Sequence, residues 1–139
     1  MFKKIILAFK FSSSCRSALE KAIQLAMEND ADLLIFHALD YRLKEIDQRD
    51  PTITEINLHM KQKFESEIKP HLADFPNFEF GYSPSDPGLE ICKIAYQTHA
   101  DLILVGCHDE SGKQSLARVD YVGMTILEKA PCPVMLVPP

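Results

Sequence analysis

The sequence predicts an α/β fold, a doubly wound domain built on a five-stranded parallel sheet flanked by helices. Two observations predict it. Strand-length apolar runs alternate with segments of helical period along the chain. The runs are also continuously apolar rather than alternating, so each strand needs cover on both faces, which right-handed helical crossovers supply. In such sheets ligands sit at the strand C-termini, where neighbouring crossovers leave to opposite faces. That points to the ends of the first and fourth strands, near Lys10 and Gly106.

Each element has its own warrant. Residues 3–11, KKIILAFKF, are a β-rich run. The serines that follow are available as N-caps for a helix carrying Ala18, Leu19, Ala22, Ile23, Leu25 and Ala26 at helical spacing. ADLLIFHAL (31–39) is the second strand, and polar residues 40–52 are expected as a surface loop. A long helix is expected from about Thr54 through Ile56, Met60, Phe64, Ile68 and Leu72, with Pro70 kinking or ending it. FEFGYS (78–83) is the third strand, weakened by Gly81. Asp86-Pro87 supplies an N-cap followed by proline at the first helical position, and that helix turns Ile91, Cys92, Ala95 and His99 inward. DLILVGC (101–107) is the strongest buried strand. Leu116, Val119, Val122, Ile126, Leu127 and Ala130 mark a last helix before CPVMLV (132–137), the final strand.

The 139 residues suffice for one domain, 1–139, with a core that needs neither disulfide nor metal. With 15 basic against 20 acidic side chains, no basic face stands out, which argues against nucleic acid and anionic membrane surfaces as partners. No apolar stretch approaches the roughly 20 residues of a membrane span. Lys10 interrupts the N-terminal apolar run, which reads as a strand rather than a signal peptide, so a cytoplasmic location is expected. Cys15, Cys92, Cys107 and Cys132 lie far apart with no CxxC pair, a pattern of reduced, mostly buried thiols.

The turn after the fourth strand, GCHDESGKQS, holds the residue types that bind anions at a helix entrance: Gly106, Gly112, Lys113 and Ser115. It is not a P-loop, because five residues separate Gly106 from Gly112 and Gln114 stands where the Mg²⁺-binding hydroxyl is required. Asp109 and Glu110 in the same turn oppose phosphate, and a solvated loop is the plain alternative. Cys107, His108 and Asp109 are too close in sequence to converge on one tetrahedral ion, and nothing nearby supplies a base for Cys107, so neither metal nor a catalytic residue is expected. His37 within LLIFHAL reads as a hydrogen-bonded core histidine, and His59, His71 and His99 read as structural. The apolar last strand fits an edge on which a second copy pairs, with Val134 and Leu136 at the homodimer interface and Pro138 and Pro139 stopping its extension.

MFKKIILAFK…ALEKAIQLA, ADLLIFHA, SDPGLEICKIA and ADLILVGCH…ILEKAPCPVMLV together make the chain resemble a universal stress protein of UspA type over nearly its whole length. The resemblance implies a Rossmann-like fold, a cytoplasmic location and a homodimer formed through the last strand. One branch of that family binds ATP with a strand-one aspartate and the motif G-x2-G-x9-G-[S/T]; the other lacks both motif and detectable nucleotide. Here the strand-one aspartate becomes Lys10 and the second glycine becomes Asp109. The third glycine falls on Val119 or Asp120, and the hydroxyl position on Asp120 or Tyr121.

These departures favour a non-catalytic dimeric stress-response protein without tight ATP binding or any cofactor, acting through protein partners. The alternative is an ATP- or AMP-binding sensor. Its base would lie against Phe9, Lys10 and Ala38, with phosphates near Gly106, His108, Gly112, Lys113 and Ser115. An ATP-hydrolysing enzyme fits least.

Overall fold

The computed structural model describes residues 1–107 and 119–139. The strands are β1 (Lys4–Ala8), β2 (Asp32–Leu39), β3 (Phe78–Pro84), β4 (Leu102–Gly106) and β5 (Val134–Val137). They form one parallel sheet in the order β3-β2-β1-β4-β5, the predicted five-stranded architecture. The helices are α1 (Arg16–Asn29), α2 (Pro51–Lys63), α3 (Lys69–Leu72), α4 (Pro87–Thr98) and α5 (Tyr121–Lys129).

Because successive strand residues point to opposite faces, the apolar runs feed two cores at once. Ile5, Leu7, Leu33, Ile35, Leu102 and Leu104 meet α1 and α3 through Ala18, Leu19, Ala22, Ala26 and Leu72. Ile6, Phe36, Ile103 and Val105 meet α4 and α5 through Ile91, Ala95 and Ile126. Alanine at three successive turns of α1, each fully buried, lets that helix lie close on the sheet. Gly88 does the same between α4 and α5: a Cβ there would come within 2.8 Å of Thr125.

Several expectations need correction. Residues 40–52 are not wholly irregular. Tyr41–Glu45 form a 3₁₀ turn, entered where the Asp40 carboxylate accepts from the Arg42 N–H at 2.9 Å. The next helix starts at Pro51 rather than Thr54, because Asp50 caps it by accepting from the Thr52 N–H. Pro70 does not end the run of helix. A π turn at Phe64–Ile68 precedes α3, loosening the hydrogen-bond ladder just where proline has no N–H to give. His99 does not turn inward; it is exposed and closes α4 in a left-handed conformation at φ 56°. The last helix is shorter than its apolar period suggested. Asp120 caps it, Val119 precedes it, and Leu127 is 45% exposed. Leu116 lies outside the described residues.

Gly81 does not interrupt β3, which pairs with β2 over its full length. Cys15, Cys92 and Cys107 are buried and Cys132 half-buried, and all four are free thiols. Among the described residues no helix is long and apolar enough to cross a membrane.

The contrast on α5 is directly testable. Ile126 is fully buried, so Ile126→Ala should cost about 2–5 kcal/mol in urea unfolding. The adjacent Leu127→Ala should stay within about 0.5 kcal/mol. Equal costs would show that α5 packs by the other register.

Candidate functional site

β1 and β4 are neighbours in the sheet, yet the chain leaves β1 for α1 on one face while α5 covers the other. Their C-terminal ends therefore diverge, and a cleft of about 210 Å³ opens between them. Four residues singled out in the sequence line it together: Phe9, Lys10, Ala38 and Gly106. His108, Gly112, Lys113 and Ser115, the expected phosphate side, lie outside the described residues, as do Asp109 and Glu110.

The cleft is apolar in its depth. Ala8, Phe36, Ile91, Val105 and Val122 form its walls, and none of them stood out in the sequence as anything but core. Gly106 has a packing reason to be glycine: a Cβ would sit 3.2 Å from the Cys15 Sγ and 3.5 Å from the Ser14 carbonyl oxygen. It is not in the left-handed region. The Ser12–Cys15 turn thus folds directly over the end of β4 and brings Ser12 and Ser14 to the rim, their hydroxyls 3.0 Å apart.

Among the described residues, charge at the mouth comes from two that lie far apart in sequence. Lys10 Nζ donates to Asp120 Oδ2 at 2.5 Å. The other carboxylate oxygen accepts from the Gly123 N–H at 2.8 Å, making Asp120 the N-cap of α5. The positive end of α5 is therefore met by the chain's own carboxylate, where an anionic ligand would otherwise gain from it. With the side chains 53% and 25% exposed, the Lys10–Asp120 pair contributes at most about 1 kcal/mol to stability. Its larger consequence is for ligands. At an effective dielectric near 20, a phosphate charge about 4 Å from that carboxylate meets roughly 4 kcal/mol of repulsion before screening, which the Lys10 ammonium offsets in inverse proportion to its own distance from the phosphate.

Both partners drew attention in the sequence as departures from the motif, but their pairing did not. The available signal was their opposite sign: acid lost and base gained at one position, acid gained at the other. Cys107 offers no activated nucleophile, since burial, reinforced by Asp120, pushes its thiol up from the ordinary value.

His37 also lines the cleft, half-buried, with Nδ1 3.0 Å from the Phe9 carbonyl oxygen. That oxygen only accepts, so Nδ1 carries the proton and donates. The ring packs edge-on against Phe11 with centroids 4.9 Å apart, and Phe11 in turn meets Phe9 and Phe80. The expected core histidine is thus hydrogen-bonded, at the edge of the cleft rather than in the deepest core.

Burial lowers the His37 pKa; the Phe9 hydrogen bond opposes this and the Lys63 charge adds to it. A depressed histidine binds its proton more weakly folded than unfolded, so its stabilising contribution is complete above about pH 6.5. It is lost as pH falls from there through the folded-state value. Urea unfolding between pH 7 and 5 should therefore show a steeper loss for the native chain than for His37→Asn, which keeps a donor toward Phe9. Parallel curves would remove His37 as the cause.

The model of the Universal stress protein family matches residues 1–138. A Staphylococcus aureus protein assigned to the universal stress proteins is 28% identical over 145 residues, covering 98% of this chain and 84% of its own. Among solved structures, universal stress protein UspA from Lactobacillus plantarum has a TM-score of 0.76 at 21% identity, covering 98% of this chain and 97% of its own. A universal stress protein from Archaeoglobus fulgidus in complex with dAMP has a TM-score of 0.68 at 17% identity, covering 98% and 97%. At those identities the structural likeness establishes the Rossmann-like fold alone, and it is the family match along almost the entire sequence that identifies the chain as a member of the universal stress protein family.

Proposed function

We propose that this chain is a non-catalytic, dimeric universal stress protein of the cytoplasm that does not hold ATP tightly and acts through protein partners. The observation that carries this reading is the ion pair between Lys10 and Asp120 across the mouth of the switch-point cleft. A lysine at the end of the first strand cannot accept hydrogen bonds from a ribose. A carboxylate capping α5 repels phosphates at the place where they would approach.

The dimer reading rests on β5, which pairs with β4 on one side and forms the edge of the sheet. An apolar edge left unpaired invites a second strand, and a two-fold axis gives each copy the same partner surface. Val134 and Leu136 are half-buried against the α4–α5 core, so pairing would use the strand's backbone edge together with what these side chains still expose.

A second reading, an ATP- or AMP-binding sensor, is supported by the cleft itself and by the dAMP complex of the Archaeoglobus fulgidus structure. Its base would lie by Phe9, Lys10 and Ala38. Phosphates would lie toward Gly106, with His108, Gly112, Lys113 and Ser115 completing the site.

Thermal unfolding with ATP, ADP and AMP, each with and without Mg²⁺, separates the two readings. A ligand at 100 times its dissociation constant adds about 2.7 kcal/mol, or several degrees for a chain of this size. No shift with ATP at millimolar concentration is expected, and a clear one would establish the sensor instead. Sedimentation equilibrium should give twice the 15.7 kDa chain mass, whereas a monomer at micromolar concentration would sink the dimer.

A further inference from the structure

We propose that a second pocket, between the entry of α1 and the π turn at Phe64–Ile68, binds a small zwitterion of amino-acid size with an apolar side chain. It is independent of the reading of the cleft and goes beyond it.

The pocket holds about 240 Å³ and shares only Phe9 and Ser12 with the cleft. It opens on the other side of the Phe9–Ser12 segment, toward α1 and α3. Its floor is apolar: Phe9 and Leu19 are buried, and Phe11 is half-buried against the same core. That surface suits a hydrocarbon side chain, which gains from leaving water. The volume is below the roughly 300 Å³ at which sites for drug-sized molecules begin, so the occupant is small.

Charges of opposite sign stand around that floor. Arg16 comes from the first turn of α1 and Glu67 from the π turn. Both line the same small space, yet among the described residues neither is ion-paired. Glu20, four residues after Arg16 and within its reach along the helix, lies instead 3.8 Å from His71 Nδ1. Arg16 therefore keeps guanidinium N–H groups to give, and Glu67 keeps carboxylate oxygens to accept.

Hydroxyls accompany each charge. Ser12 and Ser13 come from the turn just before Arg16. The Ser12 hydroxyl meets that of Ser14 at 3.0 Å, while the Ser13 hydroxyl has no hydrogen bond among the described residues. Ser66 stands beside Glu67 and reaches the Lys63 carbonyl only at 3.4 Å. A ligand carboxylate on Arg16 takes two parallel N–H groups and a serine O–H. A ligand ammonium on Glu67 has donors for that carboxylate and for the Ser66 oxygen. A purely anionic ligand would face Glu67 uncompensated, and a purely cationic one would face Arg16. One molecule bearing both charges answers both. π turns recur at functional sites, and this one supplies two of the polar lining residues.

An NMR chemical-shift titration of the native chain with L-leucine, isocaproate and isopentylamine tests this, because isocaproate lacks the ammonium and isopentylamine the carboxylate. L-Leucine should bind at least tenfold more tightly than either, moving the amides of Ser13, Arg16 and Glu67. Arg16→Gln should weaken L-leucine at least tenfold while changing isopentylamine less than twofold. Glu67→Gln should weaken L-leucine equally while sparing isocaproate. Both side chains are exposed, so both variants should keep the native urea midpoint. The proposal is overturned if L-leucine moves none of these amides at millimolar concentration, if the three probes bind alike, or if neither variant separates them. None of these outcomes bears on the nucleotide experiment, which reads the cleft.

Discussion

The position of β1 at the centre of a fully parallel sheet is the constraint from which the other features follow. Its backbone is hydrogen-bonded to β2 on one side and β4 on the other, and Ile5, Ile6 and Leu7 alternate between two buried faces. Neither face can be left to water, so α1 and α3 must cover one and α4 and α5 the other. Two-sided cover pulls the chain apart at the ends of β1 and β4, and the cleft is the space left behind. The pairing continues one step past the strand, where the Phe9 N–H donates to the Phe36 carbonyl and the Phe9 carbonyl accepts from His37. The strand that organises the core thus also shapes the cleft floor.

The strands and the order of helices were legible because burial on two faces writes itself as uninterrupted apolar sequence. Helix ends were legible only where cap chemistry and apolar period agreed. Asp86-Pro87 announces α4, but the equivalent Asp50-Pro51 gives a weaker signal because the first turn of α2 is largely exposed and adds no period of its own. At α5 the opposite error arose: the period extends beyond the helix on both sides, while Val122 and Ile126 carry the contact with the sheet. His99 departs from the inward expectation for a related reason. An apolar spacing continued for one more residue pointed inward, but the chain there turns through a left-handed cap to start β4. The Asp30 cap that ends α1 and leads toward β2 follows the same pattern.

For the candidate site, Phe9, Lys10, Ala38 and Gly106 could be located because they stand at or just beyond strand C-termini, which the fold class identifies in advance. The remainder of the lining could not. Ile91 and Val122 reach the cleft through helix packing and Val105 from β4, and a sequence reports all three simply as core. The Lys10–Asp120 contact joins residues 110 positions apart. Nothing local in either stretch requires the other, and only the closing of α5 over β1 and β4 makes them neighbours.

That contact matters out of proportion to its energy. As a partly exposed pair it adds little to folding, and a fold with this much buried apolar surface does not need it. Recognition depends on a difference between ligands, however, and a compensated charge at a mouth alters that difference even when its contribution to stability is small. Asp120 also belongs to the segment that runs through α5 into β5, with Ile126 fully buried to hold the helix on the sheet. The residue that sets the charge of the cleft and the strand that forms the exposed edge are therefore fixed by one helix. A ligand in the cleft and a strand added at the edge would press on the two ends of the same short element.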